Sequence, residues 1–341
     1  MLLSSTFLLA AAASASAVLF GPRISPPQGA VVVRLDTANP HEYPSVQSAV
    51  EALPEDNTTQ SIFIYPGTYS EAVYINRTGP TYVYGYTSDT STWTENEVTI
   101  TRYAAKNTTG SDDTSGTVRV HKDQFGMYNI NLVNTFGENP NNGQALALSA
   151  YGNEQGYYGM SLKSYQDTLL ANTGTQFYSH SYIEGVVDFI FGQEGRAFIT
   201  KSRIASAGPG CVTASGRDSA TNPALYVLDQ CEIALADDAE SGTSGKVYLG
   251  RPWHQFAMVS VQNSWLGPQL NPAGWSIWDP APNENIENVT FVEYENYGPG
   301  EWNSQRANFS TLLNTSAEDA PYTIGSVLGS DYLSWIDVRY V

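Results

Sequence analysis

The feature that most constrains the fold of this chain is a short strand-like pattern that recurs without long helices between its copies. Each copy alternates apolar and polar residues around a small or amide-bearing residue. These central residues are Asn131, Ser164, Ser181, Ser202, Cys231 and Asn263. Their separations are 33, 17, 21, 29 and 32 residues, which indicates strands joined by loops of variable length.

A parallel β-helix is the architecture that satisfies this pattern. A β-α-β fold would place amphipathic helices between the strands, and the sequence has none there. Antiparallel hairpins would show Asn-Gly or Asp-Gly turns, which are scarce. In a parallel coil each turn supplies two or three short strands, and inward positions stack on the next turn about 4.8 Å away. We therefore predict an all-β coil with small and amide side chains laddered inside it.

The N-terminal end of such a coil needs a cap. The stretch PSVQSAVEALP (residues 44–54) carries apolar residues at helical spacing. They are Val46, Ala49, Val50 and Leu53. We predict that this stretch is an N-terminal capping helix.

Residues 1–17 have the pattern of a secretory signal peptide, with an apolar core at 7–13 and a small-residue cleavage site at 15–17. We expect a secreted mature chain in which residues 18–341 form a single β-helix domain. Six N-x-S/T sequons favour a glycosylated protein. They begin at Asn57, Asn76, Asn107, Asn288, Asn308 and Asn314. No later segment is long and apolar enough to span a bilayer.

The amino-acid composition disfavours some classes of binding partner. The formal net charge of −18 makes nucleic acid and an anionic membrane surface unfavourable partners. Cys211 and Cys231 could form a disulfide in an oxidising compartment or remain buried thiols, and the sequence leaves both readings open.

Two aspartates stand out because each lies among apolar and aromatic strand formers, where an unpaired carboxylate is costly. Asp167 and Asp188 are 21 residues apart, close to one turn of a coil. Gln144 precedes Gln166 by 22 residues and is expected one turn further back. We predict that the two aspartates and the two amides form one surface patch.

Two neighbouring carboxylates cannot both ionise freely, so one is pushed towards its protonated form. This difference in protonation supplies an acid together with a base or a nucleophile. Arg251, expected three turns later, is the candidate cation that keeps one of them charged. Trp253 beside it offers a flat apolar face of the kind that stacks on sugar rings.

The spacing alone also permits a purely structural reading, in which Asp binds backbone at a corner and Arg pairs with it. His180 and His254 are expected near the patch and could act as general bases, although stacking or surface roles suit them better. The sequence has no G-x-S-x-G elbow, H-E-x-x-H zinc motif or G-x-x-x-x-G-K-[ST] loop.

Seven motifs carry a resemblance to a known family. In chain order they are YPGTYSEAV (65–73), GQALAL (143–148), YQDTL (165–169), GVVDFIFG (185–192), YLGRPW (248–253), GWSIW (274–278) and EYENYGPG (293–300). Together they resemble the pectin methylesterases, carbohydrate esterases of the right-handed parallel β-helix type, over most of residues 18–341. The chain lacks the long N-terminal inhibitor-like region of many plant members, so it looks more like a secreted fungal form.

The resemblance implies hydrolysis of the C6 methyl esters of homogalacturonan to pectate and methanol. It implies that Asp188 is the nucleophile, and that Asp167 is first the general acid and then the base. Gln166 would stabilise the oxyanion, and Arg251 would orient Asp188 and keep it ionised.

The resemblance further implies that Gln144 assists Gln166 and that Trp253 stacks on the sugar. The implied partner is pectin, acted on by a monomer without metal or organic cofactor. Because de-esterified pectin is a polyanion, the charge of −18 favours highly methylated pectin and an acidic pH.

Pectate lyases and polygalacturonases share this fold, so the fold alone does not decide the function. A lyase would use an arginine base with Ca²⁺ ligands, and a polygalacturonase a larger group of aspartates. Neither explains Q-D-T-L, V-D-F-I-F-G and G-R-P-W together. A non-catalytic pectin-binding β-helix is a further alternative, and it would bind pectin without releasing methanol.

Overall fold

A computed structural model describes residues 20–141, 143–313 and 322–341. The expected signal peptide (1–17) and the sequon at Asn314 lie outside these ranges. Within them the chain winds as a parallel β-helix, and each ladder between neighbouring strands is parallel. The prediction of a parallel coil is thereby confirmed.

The strands, numbered β1–β26 in chain order, lie on three faces. Sheet A contains β5 Val73–Ile75, β8 Val118–His121, β11 Leu148–Tyr151, the first part of β14 Leu169–Ser179, β16 Ile190–Gly192, β19 Gly210–Ser215 and β22 Val247–Pro252.

Sheet B contains β1 Val31–Val33, β2 Glu42–Tyr43, β3 Gln60–Ile64, β6 Thr81–Gly85, β9 Phe125–Tyr128, β12 Gln155–Tyr158, the last part of β14, β17 Glu194–Thr200, β20 Leu225–Asp229, β23 Met258–Gln262, β25 Thr290–Tyr294 and β26 Ser310–Leu312.

Sheet C contains β4 Gly67–Ser70, β7 Val98–Arg102, β10 Asn131–Asn134, β13 Ser161–Lys163, β15 Tyr182–Gly185, β18 Arg203–Ser206, β21 Glu232–Leu235 and β24 Trp265–Leu266. Because β14 pairs with sheet A at its start and with sheet B at its end, these two faces form one hydrogen-bonded sheet.

The corner between sheets B and C explains the repeat seen in the sequence. One residue per turn takes a positive φ there, at the bend between a strand of sheet B and the next strand of sheet C. These residues are Asn129, Gly159, His180, Lys201, Gln230, Asn263 and Glu295. Along sheet C the turn length varies from 21 residues between Ser161 and Tyr182 to 33 between Glu232 and Trp265, because the loops differ while the corner is kept.

A ladder of small polar side chains runs inside this corner. Ser181 Oγ accepts the N–H of Met160 at 3.0 Å, and Ser202 Oγ accepts the N–H of Ser181 at 3.1 Å. Cys231 continues the ladder, and its N–H donates to Ser264 Oγ at 3.0 Å. The predicted internal ladder is confirmed at Ser181, Ser202 and Cys231.

The register of the other predicted repeat centres was wrong. Ser164 follows β13 rather than the corner, where the equivalent residue is Met160. Asn131 lies within β10, and Asn263 is the positive-φ residue just before the ladder serine. The pattern required a small residue at this ladder position, but the chain has Met160 there, so Ser164 was assigned to the ladder instead.

The predicted capping helix is present as α1 Val46–Glu51. Ser45 caps it by accepting the Ser48 N–H, and the Glu71 carboxylate accepts the N–H groups of Val46 and Gln47 at 2.8 Å each. Of the four predicted apolar residues, none is more than 8% exposed. They close the N-terminal end of the core.

Three further short helices complete the described chain: α2 Lys106–Thr109, α3 Asp112–Ser115 and α4 Ile324–Leu328, with 3₁₀ turns at Tyr332–Ser334 and Val338–Tyr340. The C-terminal segment packs on sheet B, where Tyr340 lies against Tyr158 and Phe20. The two described ends of the chain therefore meet on one face.

A buried ion pair lies towards the C-terminal end of the coil. Glu293 is fully buried and receives Arg306 through two hydrogen bonds of 2.9 Å. The Trp275 indole N–H donates to the same carboxylate at 3.0 Å, so this buried charge is fully bonded.

Cys211 and Cys231 are both buried free thiols, so the reading without a disulfide is the one realised. In the described ranges, no helix has the length and apolar character needed to cross a membrane.

Candidate functional site

Successive turns of sheet A bring Asp167 and Asp188 to equivalent positions. Gln166 pairs with Val187 across the two turns, and the Asp167 N–H donates to the Val187 carbonyl at 3.0 Å. Both carboxylates line one cleft of about 270 Å³. The predicted adjacency of the two aspartates is therefore present in the fold.

Both aspartates have left-handed backbone, with φ of 66° at Asp167 and 51° at Asp188. This conformation is uncommon for residues other than glycine, and it is typical of strained functional sites. The next residues, Thr168 and Phe189, are fully buried. Gly185 makes room for this arrangement, since a Cβ there would lie 2.3 Å from the Cβ of Phe189.

Asp188 is held by a bidentate contact with Arg251. The guanidinium places Nε 2.9 Å from Oδ1 and Nη2 2.7 Å from Oδ2. Arg251 lies two turns beyond Asp188 and three beyond Asp167, by the register Leu170, Phe191, Ala214, Arg251. Burial raises the pKa of Asp188, while the hydrogen bonds and charge of Arg251 oppose that rise and favour the carboxylate.

Asp167 has a different environment. It is 6% exposed, and it does not share the bidentate contact that Arg251 gives Asp188. Burial, followed by the charge of Asp188, raises the pKa of Asp167 well above its ordinary value. The cleft therefore combines an arginine-paired carboxylate with a buried carboxyl group whose pKa is raised, so that its protonated form is favoured.

The two predicted amides lie beside this pair. Gln144 and Gln166 both line the cleft, and their backbones are linked to neighbouring turns. The Gln144 carbonyl accepts the Lys106 N–H at 2.8 Å, and the Gln166 carbonyl accepts the Ala145 N–H at 3.1 Å. These bonds fix the two backbones beside the aspartates, and Gln144 Oε1 is buried without a hydrogen bond among the described residues.

An aromatic wall flanks the aspartates. Trp253 stacks on Trp278 with ring centroids 6.5 Å apart, and Phe191 lies 6.3 Å from Trp253. The Trp278 ring also covers the Arg251 guanidinium at 4.3 Å. Such a flat apolar wall suits the face of a sugar ring.

Five further lining residues were not predicted from the sequence. They are Lys106, Asp112, Phe191, Ala214 and Trp278. Trp278 ends the GWSIW motif, so its signal was present although no role was assigned to it. Lys106 and Asp112 lie in the loop between β7 and β8, an insertion that follows no periodic pattern.

The two histidines are stacking residues. His180 packs between Phe20 and Tyr340 near sheet B, so its expected position near the patch is wrong. His254 stacks on Trp253 with centroids 5.4 Å apart and is not among the described residues that line the cleft.

A second, wider groove has a volume of about 580 Å³. Its lining includes Tyr151, Thr173, Glu194 and Arg196, and Tyr151 packs in the same apolar cluster as Trp253. The groove is larger, but it lacks a buried carboxyl and a bidentate arginine. The smaller cleft is therefore the candidate active site, and the groove offers room for an extended ligand to continue.

Two further carboxylates, those of Glu138 and Glu240, lie near Tyr165. Burial, followed by the charges of Glu240 and Glu138, raises the pKa of Tyr165, the neighbour of Gln166, to about 12. Within the described lining of the cleft the cations are Lys106 and Arg251, and each pairs with an aspartate. The site therefore has no unpaired cation among those residues to receive a free anion.

An open cleft along a parallel β-helix, with a split pair of carboxyls and stacked tryptophans, defines a β-helix enzyme that acts on an extended polysaccharide. Comparison with known proteins agrees. The sequence profile of the family described as Pectinesterase matches residues 30–331.

Relatives from fungi and plants are similar over nearly the whole chain. The pectinesterase of Aspergillus niger is 42% identical over 339 residues, which cover 98% of each chain. The solved pectin methylesterase of Aspergillus niger in deglycosylated form has a TM-score of 0.85 at 36% identity, covering 94% of this chain and 100% of that one. The pectin methylesterase from carrot has a TM-score of 0.81 at 28% identity, covering 93% and 98%.

This chain belongs to the pectinesterase family. It is a carboxylic ester hydrolase of the fungal type that acts on the methyl esters of pectin.

Proposed function

We propose that the cleft hydrolyses the C6 methyl ester of galacturonate through a covalent acyl-enzyme on Asp188. The observation that carries this proposal is the unequal state of the two aspartates. Arg251 orients Asp188 and favours its carboxylate form, whereas burial and the charge of Asp188 favour the protonated form of Asp167. A carboxylate nucleophile becomes effective when it is oriented and partly desolvated.

In the first half-reaction an Asp188 oxygen attacks the ester carbonyl, and the carbonyl oxygen becomes an oxyanion. The Gln166 amide, assisted by Gln144, donates hydrogen bonds to this oxyanion. One such donor lowers a barrier by about 2.7–4 kcal/mol in well-studied enzymes. The C–O bond to the methoxy group then breaks as Asp167 transfers its proton to that oxygen, which releases methanol and leaves an anhydride on Asp188.

In the second half-reaction Asp167 is a carboxylate and accepts a proton from water. The resulting hydroxide attacks the galacturonate carbonyl of the anhydride. Its collapse frees the Asp188 carboxylate and the product acid, and Asp167 has recovered its proton. Trp253 and Trp278 support the sugar ring through both steps.

The test is methanol release from methylated pectin by Asp188→Asn and Asp167→Asn. We expect each substitution to lower kcat by at least about 10²-fold, because it removes a nucleophile or a positioned acid. Lys163→Met, in sheet C, is the control with normal turnover. Near-normal turnover by Asp188→Asn would reject the mechanism.

The rival chemistries give different products from the same assay. A lyase would yield unsaturated chain ends, and a polygalacturonase would yield new reducing ends. A non-catalytic binding protein would yield neither these nor methanol. Methanol without chain cleavage is the expected result.

We also propose that the enzyme prefers highly methylated pectin and acidic pH. The support is the net charge of −18 together with paired cations and nearby carboxylates at the cleft. A free galacturonate carboxylate would meet repulsion there, whereas a methylated neighbour would not.

We further propose that the chain acts as a secreted, glycosylated monomer. The signal-like segment 1–17 supports secretion. Asn57, Asn76, Asn107, Asn288 and Asn308 are all exposed, as glycan acceptors must be. Size-exclusion chromatography with light scattering and an endoglycosidase mass shift test these points, and a dimer or an unchanged mass would contradict them.

A further inference from the structure

We infer that Lys106 and Asp112 are a positioning pair for the proposed acid, which fixes the charge around Asp167 and thereby the upper pH limit of activity. The inference rests on the proposed function, in which Asp167 must carry a proton when substrate binds. Neither residue belongs to a motif that resembles the family pattern in the sequence.

The pair is part of the cleft itself. Lys106 begins α2 and Asp112 begins α3, in the loop that joins β7 to β8. Lys106 Nζ lies 3.1 Å from Asp112 Oδ1, and the two side chains are 35% and 25% exposed. Both line the cleft together with Asp167.

The loop that carries the pair is anchored on both sides. The Lys106 N–H donates to the Gln144 carbonyl at 2.8 Å. On the other side Asp113 is bound by Ser149 Oγ at 2.7 Å and His121 Nε2 at 2.8 Å. Because Asp113 is tied to the outer face of sheet A, its neighbour Asp112 is directed into the cleft.

Four charged residues line the cleft together with Asp167: Asp188, Asp112, Lys106 and Arg251. Asp188, which is bonded to Arg251, has the strongest effect of the four on the pKa of Asp167, and Asp112 and Lys106 form the second pair. The carboxylate of Asp112 raises the pKa of Asp167, and the ammonium of Lys106 lowers it by less. Asp112 Oδ1 lies 3.1 Å from Lys106 Nζ, and Nζ also donates to Oδ2 at 3.3 Å, so each charge of the pair offsets the other and removal of one exposes Asp167 to the remaining one.

The test is the pH dependence of kcat/KM for methanol release by Asp112→Asn and Lys106→Met. The basic limb is the part of the pH profile in which kcat/KM falls as the pH rises. Asp112→Asn, which removes the carboxylate, should move this limb to lower pH, and Lys106→Met, which removes the ammonium, should move it to higher pH. We expect each shift to be on the order of 1 pH unit, the size of one charge–charge interaction across a cleft at effective dielectric constants of about 20–80. Lys106→Arg should retain the wild-type limb.

A matched control is available in sheet C. Lys163 pairs with Glu184 at 3.2 Å and is 40% exposed, close to the values for Lys106. Lys163→Met should leave both limbs in place, and melting temperatures verify that each variant is folded.

Two results would overturn the inference. If both variants raise KM without moving the basic limb, the pair binds sugar hydroxyls directly. If both move the limb in the same direction, it acts only as a structural brace. In either case Asp188→Asn would still be inactive, whereas failure of the proposed function would leave that variant active.

Discussion

At the scale of single residues, burial raises the pKa of both aspartates, but only Asp188 has a strong hydrogen-bonding partner that opposes the rise. Asp188 shares two short hydrogen bonds with Arg251, and Asp167 has a buried carboxyl beside a second carboxylate. The backbone of both is left-handed, a conformation that Asn and Asp tolerate better than most residues. A site built this way sacrifices stability for reactivity.

We predict that Asp167→Asn stabilises the enzyme at neutral pH. The folded-state pKa of Asp167 is raised, so the free energy of unfolding falls as pH rises from the ordinary aspartate value towards the folded one. Each unit of elevation corresponds to about 1.4 kcal/mol. Asparagine does not titrate, so its melting temperature should exceed that of the wild type at pH 7, and the gap should close near pH 3.

Asp188→Asn is the contrasting variant for this measurement. It leaves the Arg251 guanidinium without its bidentate partner, so it should lower the melting temperature at pH 7. Destabilisation by both substitutions would show that Asp167 is ionised in the folded enzyme.

At the scale of elements, the corner between sheets B and C defines each turn and can be recognised in the sequence. The alternating pattern found the strands, and the spacing of 21 residues placed Asp188 one turn after Asp167. The register failed at Ser164, since Met160 fills the equivalent ladder position. Lys106 could not be predicted, because loops between strands have neither a fixed length nor a periodic pattern.

We predict that the serine ladder is a main contributor to coil stability. Ser181→Ala and Ser202→Ala each remove the acceptor of a buried backbone N–H from the preceding turn. Leaving such a donor unpaired costs about 1–3 kcal/mol. Urea unfolding should show a loss of this size for each variant.

Ser304 is exposed and provides the control, since Ser304→Ala should change the free energy of unfolding by less than about 0.5 kcal/mol. If the ladder variants were as stable as this control, hydrogen bonds between turns would not determine the register of the coil.

At the scale of the whole molecule, the net charge and the faces of the coil that remain uncovered determine what the enzyme can bind. Helix α1 caps the N-terminal end of the coil, and the C-terminal segment covers part of sheet B. Sheet A is left open to a polymer. The net charge of −18 was evident from the sequence, but the pairing of both cleft cations required the fold. Long-range repulsion should therefore discriminate against de-esterified pectin.

We predict that highly methylated pectin is hydrolysed faster than sparsely methylated pectin at low ionic strength, and that added salt narrows the difference. The screening length falls from about 30 Å at 0.01 M to about 10 Å at 0.1 M salt. Initial methanol release at both ionic strengths checks this.

A fully methylated oligogalacturonate, which carries no side-chain charge, is the control and should respond little to salt. Faster turnover of sparsely methylated pectin at low salt would contradict the electrostatic account.

The central claim is that two aspartates on adjacent turns are coupled, with one ionised and the other protonated. The most direct measurement is a pH titration of ¹³C-carboxyl-labelled aspartates by NMR in the wild type and in Asp188→Asn. We predict one carboxyl that titrates far above the ordinary aspartate value, is absent from Asp167→Asn, and moves to lower pH when Asp188 loses its charge. If every aspartate titrated near its ordinary value, or if the Asp167 signal ignored the change at Asp188, the account would be contradicted.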